Sequence, residues 1–310
     1  MPSTVQRGQA GLAGKAREAP HWWQHTRFLE PPALGTVLAL ISAALYGIVD
    51  FAGGRLARQT NGIVLALNVQ VWGFAAMWAL APALPGSIDP AGLAWGALSG
   101  LGSGIAIMFL YTGMGKGKIS LVVPLAAVVG AGIPVLIGIA FLGERPTSLA
   151  LLGIALVFPA IWLVSGVGRV AGGQRMAGCA DSLIAGLGVA IQYAAIANAP
   201  ADSGLWPLVA NRAASILVVL AYARMAGGAL ALPRRHIFSS IWIGAAASIS
   251  LALYLSATRL SMLTIAVVLA SLYPVIPLIL AIWLLGERIT ALQKLGVASA
   301  AIAVALITTP

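Results

Sequence analysis

Of 310 residues, 60% are hydrophobic and only 8% carry charge, against roughly 25% charge in an average water-soluble domain. That composition cannot clothe a soluble domain. The formal charge of +10 does not point to nucleic acid either, because the Lys and Arg residues are scattered singly or in pairs through the first tail and short polar breaks, as basic groups facing lipid headgroups are.

Residues 1–33 read as a disordered basic tail with no apolar run resembling a signal-peptide core. Its aromatic group His21, Trp22, Trp23 and Phe28 is of the type that rests at the headgroup level. A bilayer span takes about 20 mainly apolar residues, and apolar runs place spans near 34–52, 62–82, 91–113, 119–142 and 148–167. The polar, Gly-rich break that follows, with Arg169, Gly172, Gly173, Gln174 and Arg175, reads as a linker over 168–178. Five more spans follow near 179–198, 205–226, 237–258, 262–285 and 291–308. The predicted fold is an all-α membrane protein of ten transmembrane helices, with five-helix units at 34–167 and 179–308.

An offset of 143 residues aligns the later part of each unit without a gap. Under it Asn68 meets Asn211, Tyr111 meets Tyr254, Pro134 meets Pro277, Leu142-Gly143-Glu144-Arg145 meets Leu285-Gly286-Glu287-Arg288, Thr147 meets Thr290 and Gly153 meets Gly296. Apolar bias alone does not supply those polar matches. Because each unit has an odd number of spans, the second copy must enter the membrane from the opposite side, the inverted-repeat arrangement of secondary transporters.

A proline-containing apolar span ending in Leu-Gly-Glu-Arg, followed by a Thr-led span and present twice, resembles the paired EamA domains of the drug/metabolite transporter superfamily over roughly residues 34–308. The second copy, from Tyr273-Pro274-Val275-Ile276-Pro277 to Glu287-Arg288, carries the stronger match; the first has Gly130-Ala131 where Tyr273-Pro274 stands. The resemblance implies a multi-pass carrier of the bacterial cytoplasmic (inner) membrane. Such carriers usually export amino acids or other small metabolites through a central cavity between the halves. Its partners would be a small-molecule solute and the lipid bilayer, with self-association into a homo-oligomer left open.

The remaining motifs divide into structure and site. Glu144, Arg145, Glu287 and Arg288 stand where one span ends and the next begins, suited to satisfying loose backbone groups, and Thr290 with Gln293 fits a capping box. Pro124, Pro134, Pro274 and Pro277 remove backbone donors, which in lipid must be compensated by neighbours or cavity water, so kinked or broken helices are expected to line a path. Gly96, Gly100 and Gly104 recur every fourth residue and leave bare backbone for a neighbouring helix. Gly113, Gly115, Gly117 and Lys118 lack the Ser or Thr that a phosphate-binding loop requires after its Lys, and no strand precedes them. No cofactor is expected. The single Cys179 excludes an intramolecular disulfide, and no Cys/His spacing suggests zinc.

Polar groups inside spans are costly and therefore mark function. Asp50, Asn68, Gln70, Ser103, Gln192, Tyr193, Asn211, Arg212 and Ser271 fall there. Tyr46 and Asp50, four apart, share a helix face, and Asp50 is the carboxylate best placed for proton exchange, the alternative being a cap on the helix end. Arg212 has no charged neighbour in sequence and must snorkel, pair with a distant acid such as Asp50, or meet an anionic group of substrate. Asn68 and Asn211, at equivalent positions, suit bonds across helices. Tyr111, Gln192, Tyr193, Tyr254, Ser271 and Tyr273 complete the candidate solute contacts.

Enzyme chemistry is not expected, since His21, His25 and His236 all lie outside the predicted spans and no metal or Ser/His pair assembles in the bilayer. A channel, or a structural or assembly protein of the membrane, is the alternative reading, although neither a charged ring nor a carbonyl filter is visible. Sidedness is conflicted. With the first tail cytoplasmic, that side receives Arg7, Lys15, Arg17, Arg27, Arg145 and Arg259. The opposite side receives Arg55, Arg58, Lys116, Lys118, Arg169, Arg175, Arg224, Arg234, Arg235, Arg288 and Lys294. The positive-inside rule thus favours outside termini, whereas the resemblance implies cytoplasmic ones.

Overall fold

The computed structural model describes residues 31–117, 119–141, 143–165, 178–227, 230–276, 280 and 291–308. Within them the chain forms ten α-helices and no strand. These are α1 (Pro31–Ala57), α2 (Gly62–Leu80), α3 (Pro90–Lys116), α4 (Ile119–Ala140), α5 (Ser148–Ser165), α6 (Cys179–Ala197), α7 (Trp206–Met225), α8 (Arg234–Leu260), α9 (Leu263–Ala270) and α10 (Ala291–Thr308). Among the described residues six, α1, α2, α3, α6, α7 and α8, are long and apolar enough to cross a membrane. Their outward faces are apolar, with Trp78, Leu187, Leu217 and Phe238 among the exposed side chains. A protein turning such residues outward is built for a hydrocarbon solvent.

Local chemistry fixes the helix starts. Asn61 accepts the Ile63 and Val64 N–H groups at 2.9 and 3.3 Å to cap α2. Asp89 accepts from Gly92 at 2.7 Å, and Pro90 follows as the first residue of α3, the position where its missing donor costs nothing. The Thr147 hydroxyl accepts the Ala150 N–H at 3.2 Å to open α5. Arg55, Lys116, Arg224 and Arg259 occupy last turns, where a cation complements the helix dipole.

The ninth element is interrupted, as its prolines led one to expect. A span over 262–285 was predicted, but α9 ends at Ala270 and gives way to turns at 271–274. Pro274 has no N–H to continue the ladder, and the bonds there tighten to three-residue spacing, Leu272 to Leu269 and Val275 to Leu272. By contrast α4 runs unbroken past Pro124 and Pro134. Pro277, Glu287, Arg288 and Thr290, the tail to residue 30 and most of the linker lie outside the described residues.

The most extensive helix contacts join α3 to α6 and α7, α8 to α1 and α2, α4 to α6, α5 to α10 and α2 to α7. Small residues make this possible. A Cβ on Gly96 would strike the Pro207 carbonyl oxygen, and one on Gly100 that of Asn211, while Gly104 faces Ser215 and Val218. The glycine stripe of α3 therefore lies backbone to backbone on α7, the packing role read from its spacing. Ser42 and Ser250 exchange hydroxyl-to-carbonyl bonds at 2.8 and 2.7 Å between α1 and α8.

Glu144 secures α9 from a distance. Its carboxylate oxygens accept the Leu263 and Thr264 N–H groups at 2.7 and 2.9 Å, giving α9 the N-terminal cap that Met262 does not supply. Arg145 is exposed. At the same end of the bundle Asp89 accepts the Ser203 hydroxyl, and Arg259 donates to the Pro200 and Gly204 carbonyls at 3.1 and 3.0 Å.

Candidate functional site

A cavity of about 70 Å³ opens among the helices, several times the roughly 10–15 Å³ that one water needs. Side chains from both predicted repeats line it: Tyr46, Val49 and Asp50 from α1; Ser103, Ala106, Ile107, Leu110 and Tyr111 from α3; Val189, Gln192 and Tyr193 from α6; Arg212 from α7; Ala247 from α8; and Tyr273 from the turn after α9. The helical break at Pro274 thus places an aromatic ring at the cavity, as expected for a proline-interrupted span.

Eight sequence candidates meet here, namely Tyr46, Asp50, Ser103, Tyr111, Gln192, Tyr193, Arg212 and Tyr273. Tyr254 and Ser271 do not line the cavity. Tyr254 is fully buried behind Tyr193, its ring stacked at 4.2 Å and its hydroxyl donating to the Tyr193 carbonyl at 3.4 Å. Ser271 is buried, its N–H bonded to the Val267 carbonyl at 2.9 Å.

The phenol rings form a connected wall. Tyr46 meets Tyr193 edge-on and Tyr273 at a tilt, both with centroids 6.4 Å apart. The Tyr111 hydroxyl lies against Gly53, 2.5 Å from where a Cβ would stand, so the bare backbone one turn beyond Asp50 makes room for it. Gln192 donates to the Tyr46 hydroxyl at 3.3 Å.

Behind the wall runs a buried polar network whose hub is Gln70. Its Nε2 donates to the Ser103 hydroxyl at 3.1 Å and to that of Ser215, while its Oε1 accepts Arg212 Nη1 at 2.5 Å. One amide thereby couples α2, α3 and α7. A second chain runs from Asn211 Nδ2 to the Ser99 hydroxyl at 2.8 Å and from Ser99 to the Gln192 carbonyl at 2.9 Å. Asn211 therefore crosses helices as expected, but Asn68 does not. It is half-buried and donates to the Val64 carbonyl of its own helix at 2.9 Å.

The two ionisable cavity groups stand apart. Arg212 is 3% exposed, so it does not snorkel, and no salt bridge joins it to Asp50 or another described acid. Its Nε and Nη2 make no hydrogen bond among the described residues. Asp50 is buried and likewise receives no hydrogen bond or ion pair there. Buried ionisable groups without an ion-pair partner are expensive, and both of these line one cavity.

Of the supporting residues, Gln70 is among the polar groups that the sequence places inside spans, whereas Ser99 and Ser215 were not singled out. A glutamine inside a span was a signal; serines are too frequent in spans to be one.

No family model matches this chain, and no curated protein matches it by sequence. In three dimensions it is similar to a solved structure described as "Crystal structure of protein", at 15% identity and a TM-score of 0.69, covering 90% of this chain and 98% of the other. At that identity the likeness extends to the fold alone.

Proposed function

We propose that this protein is a ten-span carrier of the EamA type, within the drug/metabolite transporter superfamily, that moves a small organic solute across the cytoplasmic membrane by alternating access. The observation that carries the reading is the cavity at which side chains from both predicted repeats converge, holding an unpaired acid and an unpaired base. The pattern of helix pairing supports it. Moving five helices along the chain turns the contacts of α3 with α6 and α7 into those of α8 with α1 and α2, and the contact of α4 with α6 into that of α9 with α1. The pairs α2 with α7, α4 with α9 and α5 with α10 each return to themselves.

The helix ends support opposite insertion of the two copies. Gly35 at the start of α1 meets Leu260 and Ser261 at the end of α8, while Gly113 near the end of α3 meets Gly178 just before α6. Two copies of opposite insertion can exchange conformations, which supplies the pair of near-equal states that alternating access needs. Glu144, Pro134 and the Gly96–Gly100–Gly104 stripe are structural in this reading, and Asp50 is the group available for proton coupling.

The test is counterflow of labelled solutes in liposomes holding the purified protein, screened across small acids, amines and amino acids. Saturable, trans-stimulated flux is the expected result. Flux that rises linearly with concentration would indicate a channel, and no flux across the whole screen would sink the carrier reading.

A further inference from the structure

We infer that the cavity binds a small organic monoanion through a carboxylate seated on the free edge of Arg212, an inference that rests on the carrier reading for its consequence but not for its geometry. A guanidinium has two bidentate faces, its end and its side, and the side is formed by Nε–H together with Nη2–H. Gln70 occupies Nη1. The two nitrogens without a partner among the described residues are Nε and Nη2, so the vacant donors are the two of one fork, parallel and coplanar.

That fork matches the two oxygens of a carboxylate, the geometry for which arginine outperforms lysine. Orientation of the side chain is fixed rather than adaptable. Gln70 is itself held by the Ser103 and Ser215 hydroxyls, and the Arg212 side chain passes beside Gly73, whose missing Cβ would stand 3.4 Å from Arg212 Cδ. An ordered donor pair loses little freedom when it binds.

The charge of the ligand follows from the lining. Arg212 is the one cation among the described residues that line the cavity, so with the Asp50 carboxyl in its protonated form it balances one negative charge. A phosphate dianion would leave charge uncompensated beside Asp50. The competitor for the fork is the Tyr46 hydroxyl, which stands within hydrogen-bonding reach of the guanidinium and keeps a lone pair after accepting from Gln192, but a neutral phenol oxygen is a weaker acceptor for a cation than a carboxylate. The walls are phenol rings and aliphatic side chains, which suit an apolar or aromatic body on the acid.

The experiment uses the purified full chain in detergent and compares probes that share a skeleton: benzoate, benzamide and benzylamine, then propionate, propionamide and propylamine, with inorganic phosphate alongside. Binding is followed by ligand-induced thermal stabilisation and by titration calorimetry. The carboxylate of at least one set is expected to bind about tenfold or more tighter than its amide and amine, the discrimination a charge-assisted pair supplies. Arg212→Lys, which keeps the charge and loses the fork, is expected to reduce carboxylate binding about tenfold.

Amide or amine binding as tight as the carboxylate's would overturn the inference. So would undiminished carboxylate binding in folded Arg212→Lys, tighter binding of phosphate, or no binding of either acid. The wild-type series decides even where the variant fails to fold. Carboxylate binding without flux in liposomes would sink the carrier reading and leave the site; saturable flux of an amine without carboxylate binding would do the reverse.

Discussion

Glu144, in the connection after α4, accepts the backbone N–H of Leu263 at 2.7 Å across 119 residues of sequence. The bond caps one helix with the side chain of another segment, and it is paired with a second to Thr264. Glu144→Gln keeps one acceptor oxygen and turns an amide donor toward an N–H. It should cost about 1–2 kcal/mol, read as a fall in the thermal midpoint of purified protein. Arg145→Gln, on an exposed neighbour, should stay within about 0.5 kcal/mol. Equal effects from the two would remove the cap from the account.

The contact between α3 and α7 tolerates no added side chain at its centre. Gly100→Ala would push a methyl group into the Asn211 carbonyl, an overpacking defect of roughly 1–3 kcal/mol. At Gly115 a Cβ would meet only Ala57 at an ordinary 3.4 Å, and Gly115→Ala should be silent. Monodispersity after detergent extraction and thermal midpoint distinguish them, and a stable Gly100→Ala protein would contradict the packing.

Asp50 is the carboxylate that lines the cavity. If a proton gradient drives uptake through it, Asp50→Asn abolishes pH-driven accumulation in liposomes while solute exchange at equal pH persists. The same pH dependence in the variant as in wild type would take Asp50 out of the mechanism.

Asp89, just outside the start of α3, is held below the usual carboxylate range by the Ser203 hydroxyl and then by the Gly92 N–H. A depressed value in the folded state means that the group contributes stability that is fully present above its unfolded value of about 3.9. The contribution is lost as pH falls through the lower, folded value. The thermal midpoint of wild type should therefore approach that of Asp89→Asn on acidification below about pH 4. A gap between the two that is constant across that range would rule out the titration of Asp89 as its source.

Helix positions were legible because apolar runs of about the length a bilayer takes stand out between polar breaks. The run read as 291–308 is α10, and that read as 62–82 is α2 with its 3₁₀ extension to Ala83. Where the reading failed, tertiary context decided. Prolines sit in both α4 and the ninth element, yet only the latter breaks at Ala270, since a proline's missing bond is compensated or not by neighbours that sequence does not show. The charged and phenolic cavity residues could be picked out because polar groups in hydrocarbon need a reason. Val49, Ala106 and Ala247 could not, being identical in type to lipid-facing residues. Asn68 and Gln70 looked equivalent on the page, but at about 100° per residue they face nearly opposite ways. Only Gln70 turns toward α3 and α7.

The interleaving of α3 with α6 and α7, and of α8 with α1 and α2, bears on how the polypeptide matures. The earlier helices have their most extensive partners in segments synthesised after them, so a chain halted at residue 178 would hold stable spans with no settled arrangement. Severing the chain between the repeats and supplying both fragments together should restore the assembled protein, whereas either fragment alone should remain a substrate for membrane proteases.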